Sequence, residues 1–455
     1  MRQLVDWRIR ITMAASIAVI AFGGFHIGGA DDNRASLSGR IVAIDIPGAA
    51  AVAPVGAFLP GGPIHDKPEF AAYTQPGRVL DPARILVGST SNFGTPVANP
   101  EQLEGAFLSL DPRGPEILVI PPDFATAGGQ ASALGGRVQM YSAQSPPFRN
   151  GVNNPSAVTA RFTGVSNPLG LSINNAFGRL WPANAPTGLE GAGTSTILDP
   201  TGIPLAGAPN AQAGGVFAGG LTPRLPFQAI PGALNSGAVG TAFLGHSPDG
   251  SARAVFCVVL ADGSLVQEHT GKAVDGLAPA GTVSPLLDRR EQDNNDVGAS
   301  PRLGVLLNYS PTRILFISEP FENSITAIDL TDDGVVFRPG AVRRFRTEVL
   351  DHPVDLAPVS IETENPNWAS NTTLDVGSDF YVANRGNNTI ARMRQDGTVV
   401  AIREVRLAGG QSLGNARLNG IASSPDGTRI WVTVTGRLPG HGGTAGAVVE
   451  LPAFP

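Results

Sequence analysis

A strand, a tight turn and a second strand recur along most of this chain. The clearest copy spans Asp379 to Arg394. Its apolar run, Phe380 to Ala383, leads into a polar corner, Asn384 to Asn387, and then into a second run from Thr389 to Met393. Gly and Asn adopt the backbone conformations that a tight reversal needs. The pattern therefore predicts a β-hairpin in each copy.

Each copy opens with a semi-apolar run that ends in a turn, and a denser apolar run follows. The dense runs are mostly apolar at consecutive positions, which favours strands that are buried on both faces. A strand-rich unit that recurs six times, each time with a strand of this kind, predicts an all-β fold. The specific fold that it predicts is a six-bladed β-propeller. The predicted dense strands are Glu116 to Pro121, Arg179 to Asn184, Ala254 to Val259, Ile314 to Glu319, Asp379 to Asn384 and Arg429 to Val434.

The two ends of the chain indicate how the ring closes. The last unit ends at Leu451 and lacks a fourth strand, and the segment Gly39 to Asp45 resembles Gly397 to Arg403. We therefore expect the N-terminal strand to complete the last blade and to remove an exposed edge. Gly48 to Pro82, rich in Ala, Gly and Pro, is predicted to be a long loop. A strand at Arg84 to Val87 leaves a seven-bladed ring as the alternative.

Composition supports a β-rich fold and excludes one class of partner. The chain has 57 glycines, 39 prolines and only 15% charged residues, which is typical of many turns rather than long helices. The net charge is -6 and there is no basic run. Nucleic acid is therefore not an expected partner, because phosphate binding needs clustered Lys and Arg.

The N-terminus has the features of a secretory signal. Arginines precede a largely apolar run from Ile11 to Phe25, and small residues lead to Ala30. The run is shorter than the roughly 20 residues of a membrane-spanning helix, so cleavage near Ala30 is favoured over retention as a membrane anchor. We expect residues 1–30 to be a signal peptide and residues 31–455 to be a single domain without a membrane span.

The chain has one cysteine, Cys257, which lies in an apolar run and is predicted to be a small buried residue rather than a nucleophile. There is no haem-attachment motif, and haem is not an expected cofactor.

Two segments carry a family resemblance. Asp379 to Thr389 (DFYVANRGNNT) and Leu418 to Val432 (LNGIASSPDGTRIWV) resemble the NHL-repeat, YVTN-repeat and SMP-30/gluconolactonase group of β-propellers. The resemblance covers roughly residues 104 to 455. It implies the architecture more strongly than a function, because the group includes metal-dependent lactonases, lyases and non-catalytic binding proteins.

The resemblance also allows a test for a metal site. SMP-30-like lactonases hold a divalent metal such as Ca²⁺ with Glu, Asn and Asp side chains, largely at the starts of inner strands. Asn419 matches one such position, whereas the equivalent residues Leu169 and Val354 cannot bind a metal. Most of that site is therefore missing, and Glu319 and Asn419 remain as weak candidates. The acidic cluster Asp288 to Asp296 could also bind Ca²⁺, but a solvated loop is the favoured interpretation.

Propeller geometry gathers several polar residues at one face, which we call the top face. We expect this face to bind a small polar or anionic ligand, a cation or another protein. Arg385 can pair with a carboxylate or phosphate, and Glu319 or His352 can act as a base if the channel shifts the pKa. The alternative is that these side chains bond to backbone at strand ends. The candidates are Asn184, Glu319, His352, Asn384, Arg385, Asn419 and His441.

The sequence thus predicts a monomeric, secreted or periplasmic propeller that acts as a ligand- or protein-binding module. The alternative is a lactone hydrolase or lyase that uses polar residues facing the channel.

Overall fold

All the regular structure in the described part of the chain is β-strand, apart from two short 3-10 turns at Pro320–Glu322 and Ala408–Gly410. The computed structural model describes residues 35–44, 46, 49–54, 84–89, 137–142, 148–149, 158–162, 168–174, 179–184, 194–195, 238–246, 254–260, 265–269, 282–287, 305–308, 313–360, 373–374, 377–424, 426–441 and 446–455. The prediction of an all-β chain is confirmed for these residues.

The strands have these bounds in chain order: β1 Ser36–Ile44, β2 Ala49–Pro54, β3 Arg84–Ser89, β4 Arg137–Ser142, β5 Phe148–Arg149, β6 Val158–Phe162, β7 Pro168–Asn174, β8 Arg179–Asn184, β9 Thr194–Ser195, β10 Ala238–His246, β11 Ala254–Leu260, β12 Leu265–His269, β13 Thr282–Leu287, β14 Val305–Asn308, β15 Arg313–Glu319, β16 Ser324–Asp332, β17 Phe337–Arg346, β18 Pro353–Pro358, β19 Thr373–Leu374, β20 Phe380–Asn384, β21 Thr389–Met393, β22 Val399–Leu407, β23 Arg417–Ser423, β24 Arg429–Thr435 and β25 Gly446–Pro452.

Neighbouring strands pair as antiparallel meanders, except that β19 pairs in parallel with β14 and β1 pairs in parallel with β22. The orders are β2-β3-β4-β6, β7-β8-β9, β10-β11-β12-β13 and β17-β16-β15-β14-β19, and a larger sheet runs β18-β20-β21-β22-β1-β25-β24-β23. Five of the second strands, β8, β11, β15, β20 and β24, coincide with predicted dense runs, whereas the second strand β3 was not among those runs. The strands β15, β20 and β24 are buried along most of their length. Strands buried on both faces need a sheet packed on each side.

The first strands of these meanders pack against one another in cyclic order. β2 contacts β7, β7 contacts β10, β10 contacts β14, β14 contacts β18, β18 contacts β23, and β23 returns to β2. Sheets that meet through their first strands in a ring have the architecture of a β-propeller around a central channel. The inner edge of a first strand is the edge away from its second strand. On β14 this edge pairs in parallel with β19, from Leu307↔Thr373 to Asn308↔Leu374.

The N-terminal strand bridges two meanders. Its second half pairs antiparallel with β25, from Arg40↔Glu450 to Ile44↔Ala447, so the predicted pairing with the last unit is observed. Its first half, from Ser36 to Gly39, pairs parallel with β22, which the sequence did not indicate. Gly39 lies where the strand changes partner, and a Cβ there would collide with Val449 and Leu451.

The prediction of a loop from Gly48 to Pro82 is wrong for its first residues. Ala49–Pro54 forms β2, and β3 pairs with β2 rather than adding an extra blade. The sequence AAAVAP has the small side chains that suit a first strand where the sheets converge, but the same composition also suggests a loop. Residues 55–83 lie outside the described residues, as do the predicted strands from Gly105 to Leu110 and from Glu116 to Pro121, and the signal segment.

Apolar residues of several sheets share one large cluster, which includes Leu244, Ile317, Tyr381, Ile421 and Val449. Cys257 belongs to this cluster and is fully buried, as predicted. No helix within the described ranges is long and apolar enough to cross a membrane. Residues 35–455 form one compact unit.

Candidate functional site

The predicted candidates lie at one end of the sheets, where first strands begin and second strands end. Pro353 at the start of β18 pairs with Asn384 at the end of β20, and Pro168 of β7 pairs with Asn184 of β8. Glu319 ends β15, Asn419 lies near the start of β23, and His441 lies between β24 and β25. This end is the top face.

Two corners of the top face share a left-handed asparagine. Asn323 (φ 48°) follows β15 and Asn388 (φ 55°) follows β20. Asn tolerates this conformation better than most residues with a side chain. The amide of Asn323 accepts the backbone N–H of His352 at 2.8 Å, and the amide of Asn388 accepts the N–H of Leu418 at 3.2 Å. Each corner therefore fastens the start of the next first strand, and we call these two contacts the asparagine clasps.

Asn384 is fully buried and holds the segment that leads into β18. Its Oδ1 accepts the N–H of Asp351 at 3.2 Å, and its Nδ2 donates to Val349 O and to Thr389 Oγ1, both at 3.1 Å. Its role in ligand binding stays a prediction, but two backbone groups and the Thr389 hydroxyl explain its buried position.

The structure brings Arg385 and Asn419 together. Arg385 is 4% exposed, and its Nη1 donates to Leu418 O at 3.3 Å and to Asn419 Oδ1. Asn419 in turn donates from Nδ2 to Ala49 O at 3.0 Å. This chain of bonds joins the corner after β20 to β23 and β2, so it links the two ends of the large sheet and continues to the sheet that contains β2.

Glu319 lies apart from this network. It is fully buried, accepts the hydroxyl of Ser324 at 3.0 Å and lies 3.3 Å from Nη2 of Arg344. Ser324 and Arg344 belong to the next two strands of the same sheet. The two described partners of Glu319 therefore belong to its own sheet, and neither of them is Asn419, the other weak metal candidate.

Asp351 and His352 form the exposed part of the top-face network. Their side chains are 39% and 38% exposed, and His352 Nδ1 lies 3.1 Å from Asp351 Oδ1. The backbone of His352 has φ 48°, a conformation that costs about 1–3 kcal/mol for such a residue and that the surrounding bonds must hold. Those bonds come from Asn323 and from the N–H of Arg385, which His352 O accepts at 2.9 Å.

Gly386 allows the Asp351 carboxylate to lie directly against the backbone of this corner. A Cβ on Gly386 would collide with the carboxylate, so a larger residue would force the Asp351 side chain to move. The N–H of Gly386 also donates to Asp351 O at 3.0 Å. The corner Asn384 to Asn388 thus fixes the loop that carries Asp351 and His352, and the polar corner in the sequence has a structural explanation.

Two other candidates contribute less. His441 is partly exposed, and its N–H donates to Leu438 O at 3.2 Å. The backbone of Asn184 ends β8, whereas its side chain lies outside the described residues. The acidic cluster Asp288 to Asp296 also lies outside them.

A bulge recurs near the start of the first strands. In each case one residue of the first strand has no partner on the second strand, and the regular pairing continues with the next residue. The skipped residues are Ala50, Leu169, Val239, Val354 and Asn419. The sequence-based equivalence of Asn419 with Leu169 and Val354 agrees with this register. Four of the five residues have apolar side chains, so these positions do not supply a ligand set for a divalent cation.

Asp355 is the residue that sequence reasoning missed. It follows the bulge in β18 and is partly exposed. Its Oδ1 accepts the N–H of Leu356 and its Oδ2 accepts the N–H of Ile421 on β23, both at 2.9 Å. Burial raises the pKa of Asp355 to about 7, although the two backbone N–H groups act in the opposite direction. The detectable signal was a lone carboxylate in the otherwise apolar run Pro353 to Pro358.

No group of three or more His, Cys, Asp or Glu side chains that could hold a metal ion occurs in the part of the chain that the structure describes.

No family model and no curated protein matches this sequence. Similar solved structures include a periplasmic gluconolactonase from Pseudomonas aeruginosa, with 12% identity, a TM-score of 0.35 and coverage of 84% of this chain and 90% of that one. The calcium-binding protein regucalcin from Agrobacterium tumefaciens has 14% identity, a TM-score of 0.35 and coverage of 69% and 82%. An α-L-arabinofuranosidase from Fusarium graminearum has 8% identity, a TM-score of 0.41 and coverage of 92% and 98%. Likenesses at this level do not identify a function.

Proposed function

We propose that this protein is a secreted or periplasmic six-bladed β-propeller that binds a small polar ligand at its top face. The blade count is supported by the sheets. The large sheet divides at β1 into β18-β20-β21-β22 and β23-β24-β25-β1, which together with the other four meanders makes six units in the described part of the chain. Export is supported by the signal-like N-terminus, and the mature chain would then begin near Asp31.

The Asp351–His352 pair carries the proposal for ligand binding. Polar groups that are exposed and yet held by a rigid scaffold are suited to recognition, because little conformational entropy is lost on binding. Here the Asn323 clasp, the Asn384 amide and the Arg385 N–H all hold the backbone of the pair. The carboxylate and the imidazole together can accept hydroxyl groups and donate to an anionic group.

Sodium gluconate is a suitable probe, since it has both hydroxyl groups and a carboxylate. We expect calorimetry to detect binding to the mature protein, and the His352→Ala variant to bind at least tenfold more weakly. Arg338→Ala, on the outermost strand of its sheet, is the matched control and should bind as the wild type does. Equal binding by the His352 variant would contradict the top-face proposal. Mass spectrometry of the exported protein tests cleavage near Ala30.

A lactone hydrolase or lyase is the second candidate. The observation that favours it is the contact between Asp351 Oδ1 and His352 Nδ1, because a carboxylate in this position orients an imidazole for general-base catalysis. Hydrolysis of D-glucono-1,5-lactone, corrected for the spontaneous reaction, tests this function. Loss of the catalysed rate in His352→Ala, together with a normal unfolding curve, would support it. A wild-type rate equal to the spontaneous rate would exclude this substrate.

A further inference from the structure

One carboxylate stands out among the small residues at a single level of the first strands. The residues that directly follow the bulges are Ala51, Gly170, Gly240, Asp355 and Gly420. In the remaining meander β14 begins at Val305, and the corresponding residue lies outside the described residues. The other four residues have only hydrogen or a methyl group as side chain, so Asp355 is the member of the set with a functional group.

The two oxygens of Asp355 are held by neighbouring first strands. The N–H of Ile421 that donates to Oδ2 belongs to β23, which pairs with β24 on its other side. That N–H therefore points from the inner edge of β23, and the carboxylate lies between the inner edges of β18 and β23. A carboxylate accepts about four hydrogen bonds, and these two donors account for half of them.

In the described part of the chain, no basic side chain forms an ion pair with Asp355. Both contacts of the carboxylate are to neutral backbone groups, and no basic side chain lies within ion-pair distance there. Even partial removal of a carboxylate from water is costly when no basic group pairs with it, and carboxylates of this kind are more frequent at functional sites than elsewhere.

The surroundings suit an organic cation better than a metal ion. Calcium needs six to eight oxygen ligands. Asp355 supplies one carboxylate, and among the described residues it belongs to no group of acidic side chains that could hold a metal ion. An ammonium group needs only two or three acceptors. The carboxylate supplies one or two, and the inner edge of a first strand supplies backbone carbonyls, since an edge strand leaves part of its backbone groups unpaired.

We propose that the channel wall at Asp355, between β18 and β23, is a binding site for the ammonium group of a small ligand. The site lies on a different element from the Asp351–His352 loop, so failure of either proposal leaves the other standing. Affinity for a cation depends on the ionised form of the carboxylate. Because the pKa of Asp355 is raised to about 7, the ionised fraction increases about tenfold between pH 6 and pH 8.

Butylammonium chloride is the probe, with 1-butanol as its neutral analogue and calcium chloride as the metal alternative. Binding to the full mature protein is followed by calorimetry or by ligand-observed NMR at pH 6 and pH 8. We expect butylammonium to bind about tenfold more tightly at pH 8 than at pH 6. We expect the Asp355→Asn variant to lose this binding. The control variant Asp329→Asn should retain it, because Asp329 pairs with Arg343 in a different sheet from the one that contains Asp355.

Several results would overturn the proposal. These are no detectable binding of butylammonium at pH 8, equal affinity at both pH values, equal binding of 1-butanol, or displacement of butylammonium by stoichiometric Ca²⁺. The pH comparison uses the wild-type protein alone, so it decides the question even if Asp355→Asn folds poorly. Tight binding that persists in a folded Asp355→Asn variant would place the cation elsewhere.

Discussion

The starts of β18 and β23 have the same backbone and place their polar residue one position apart. In β18 the order is Pro353-Val354-Asp355, and in β23 it is Leu418-Asn419-Gly420. Both strands skip the middle residue in the pairing with the second strand. The polar residue of β23 therefore lies in the bulge, whereas that of β18 follows the bulge.

This shift of one residue gives Asn419 a structural role and leaves the Asp355 carboxylate accessible for binding. Asn419 is 6% exposed, and its amide bonds to Ala49 O and Thr435 Oγ1 and accepts from Arg385. Asp355 keeps part of its surface exposed and has two backbone donors as its partners. Both residues bond to a neighbouring first strand, but the residue in the bulge is nearly enclosed, whereas the residue after the bulge keeps a partly exposed carboxylate.

The largest effect that distinguishes these two positions should be a dependence of stability on pH. The pKa of Asp355 is raised to about 7 from an ordinary value of 3.8, so between these values the folded state holds a proton that the unfolded state has lost. Stability should therefore fall as pH rises through this window, by about 2–4 kcal/mol. Urea unfolding from pH 4 to pH 8 measures this, and Asp355→Asn should flatten the curve. An equally steep curve in that variant, with Asp329→Asn as control, would assign the dependence to other groups.

Removal of the bulge amide should destabilise the ring without changing its pH response. Asn419→Ala leaves Ala49 O and the buried Arg385 without the amide, which should cost about 2–3 kcal/mol in the free energy of unfolding. Chemical denaturation at pH 7 measures the loss. The exposed Asn415→Ala is the matched control and should change stability by less than about 0.5 kcal/mol. A loss as small as the control would show that the amide network contributes little.

Transfer of the asparagine to the other strand tests whether position alone is sufficient. Val354 is 3% exposed and belongs to the apolar cluster, so Val354→Asn buries an amide in an apolar setting. We expect a cost of about 1–3 kcal/mol. Val400→Asn, at an exposed position on β22, should be nearly neutral. A neutral Val354→Asn would indicate that the bulge accommodates an amide in any blade.

The smallest difference should lie between the two asparagine clasps. Asn388 makes two bonds to the segment that begins β23, because its Nδ2 also donates to Ala416 O at 2.9 Å. Replacement by glycine keeps the left-handed backbone and removes only the amide. We expect a loss of about 1–2 kcal/mol for Asn388→Gly and about 1 kcal/mol for Asn323→Gly. Thermal unfolding ranks them, and the reverse order would show that the clasp to His352 is the stronger one.

The sequence was most informative where several side chains in a row had to be buried. The dense strands β8, β11, β15, β20 and β24 were predicted within a few residues, because a run of consecutive apolar residues indicates a strand that is buried on both faces, as β15, β20 and β24 are. The strand β2 was missed, because Ala49 to Pro54 has no large side chain whose burial would reveal it. The pairing of β1 with β25 could be predicted from similarity to another outer strand, but its parallel pairing with β22 could not.

The candidate site shows the same limit. The polar residues of the top face could be found from their positions at strand ends, but not which of them stay accessible. Asn384 and Arg385 have the composition of a ligand site, yet they bond to neighbouring backbone, while His352 at the same face stays exposed. Asp355 was overlooked, because its significance depends on Ile421, 66 residues away in the sequence.

By itself, the sequence determined the repeating strand units, the all-β class and the face on which the polar corners gather, because these follow from local periodicity and turn chemistry. Only the tertiary structure decided which polar side chains are enclosed by hydrogen bonds to the rest of the protein and which stay accessible to a ligand. The physical reason is that the partners of a polar group come from the neighbouring blade. A shift of one residue at a bulge then decides whether a side chain that binds this neighbour is almost fully enclosed, as Asn419 is, or keeps part of its surface exposed, as Asp355 does.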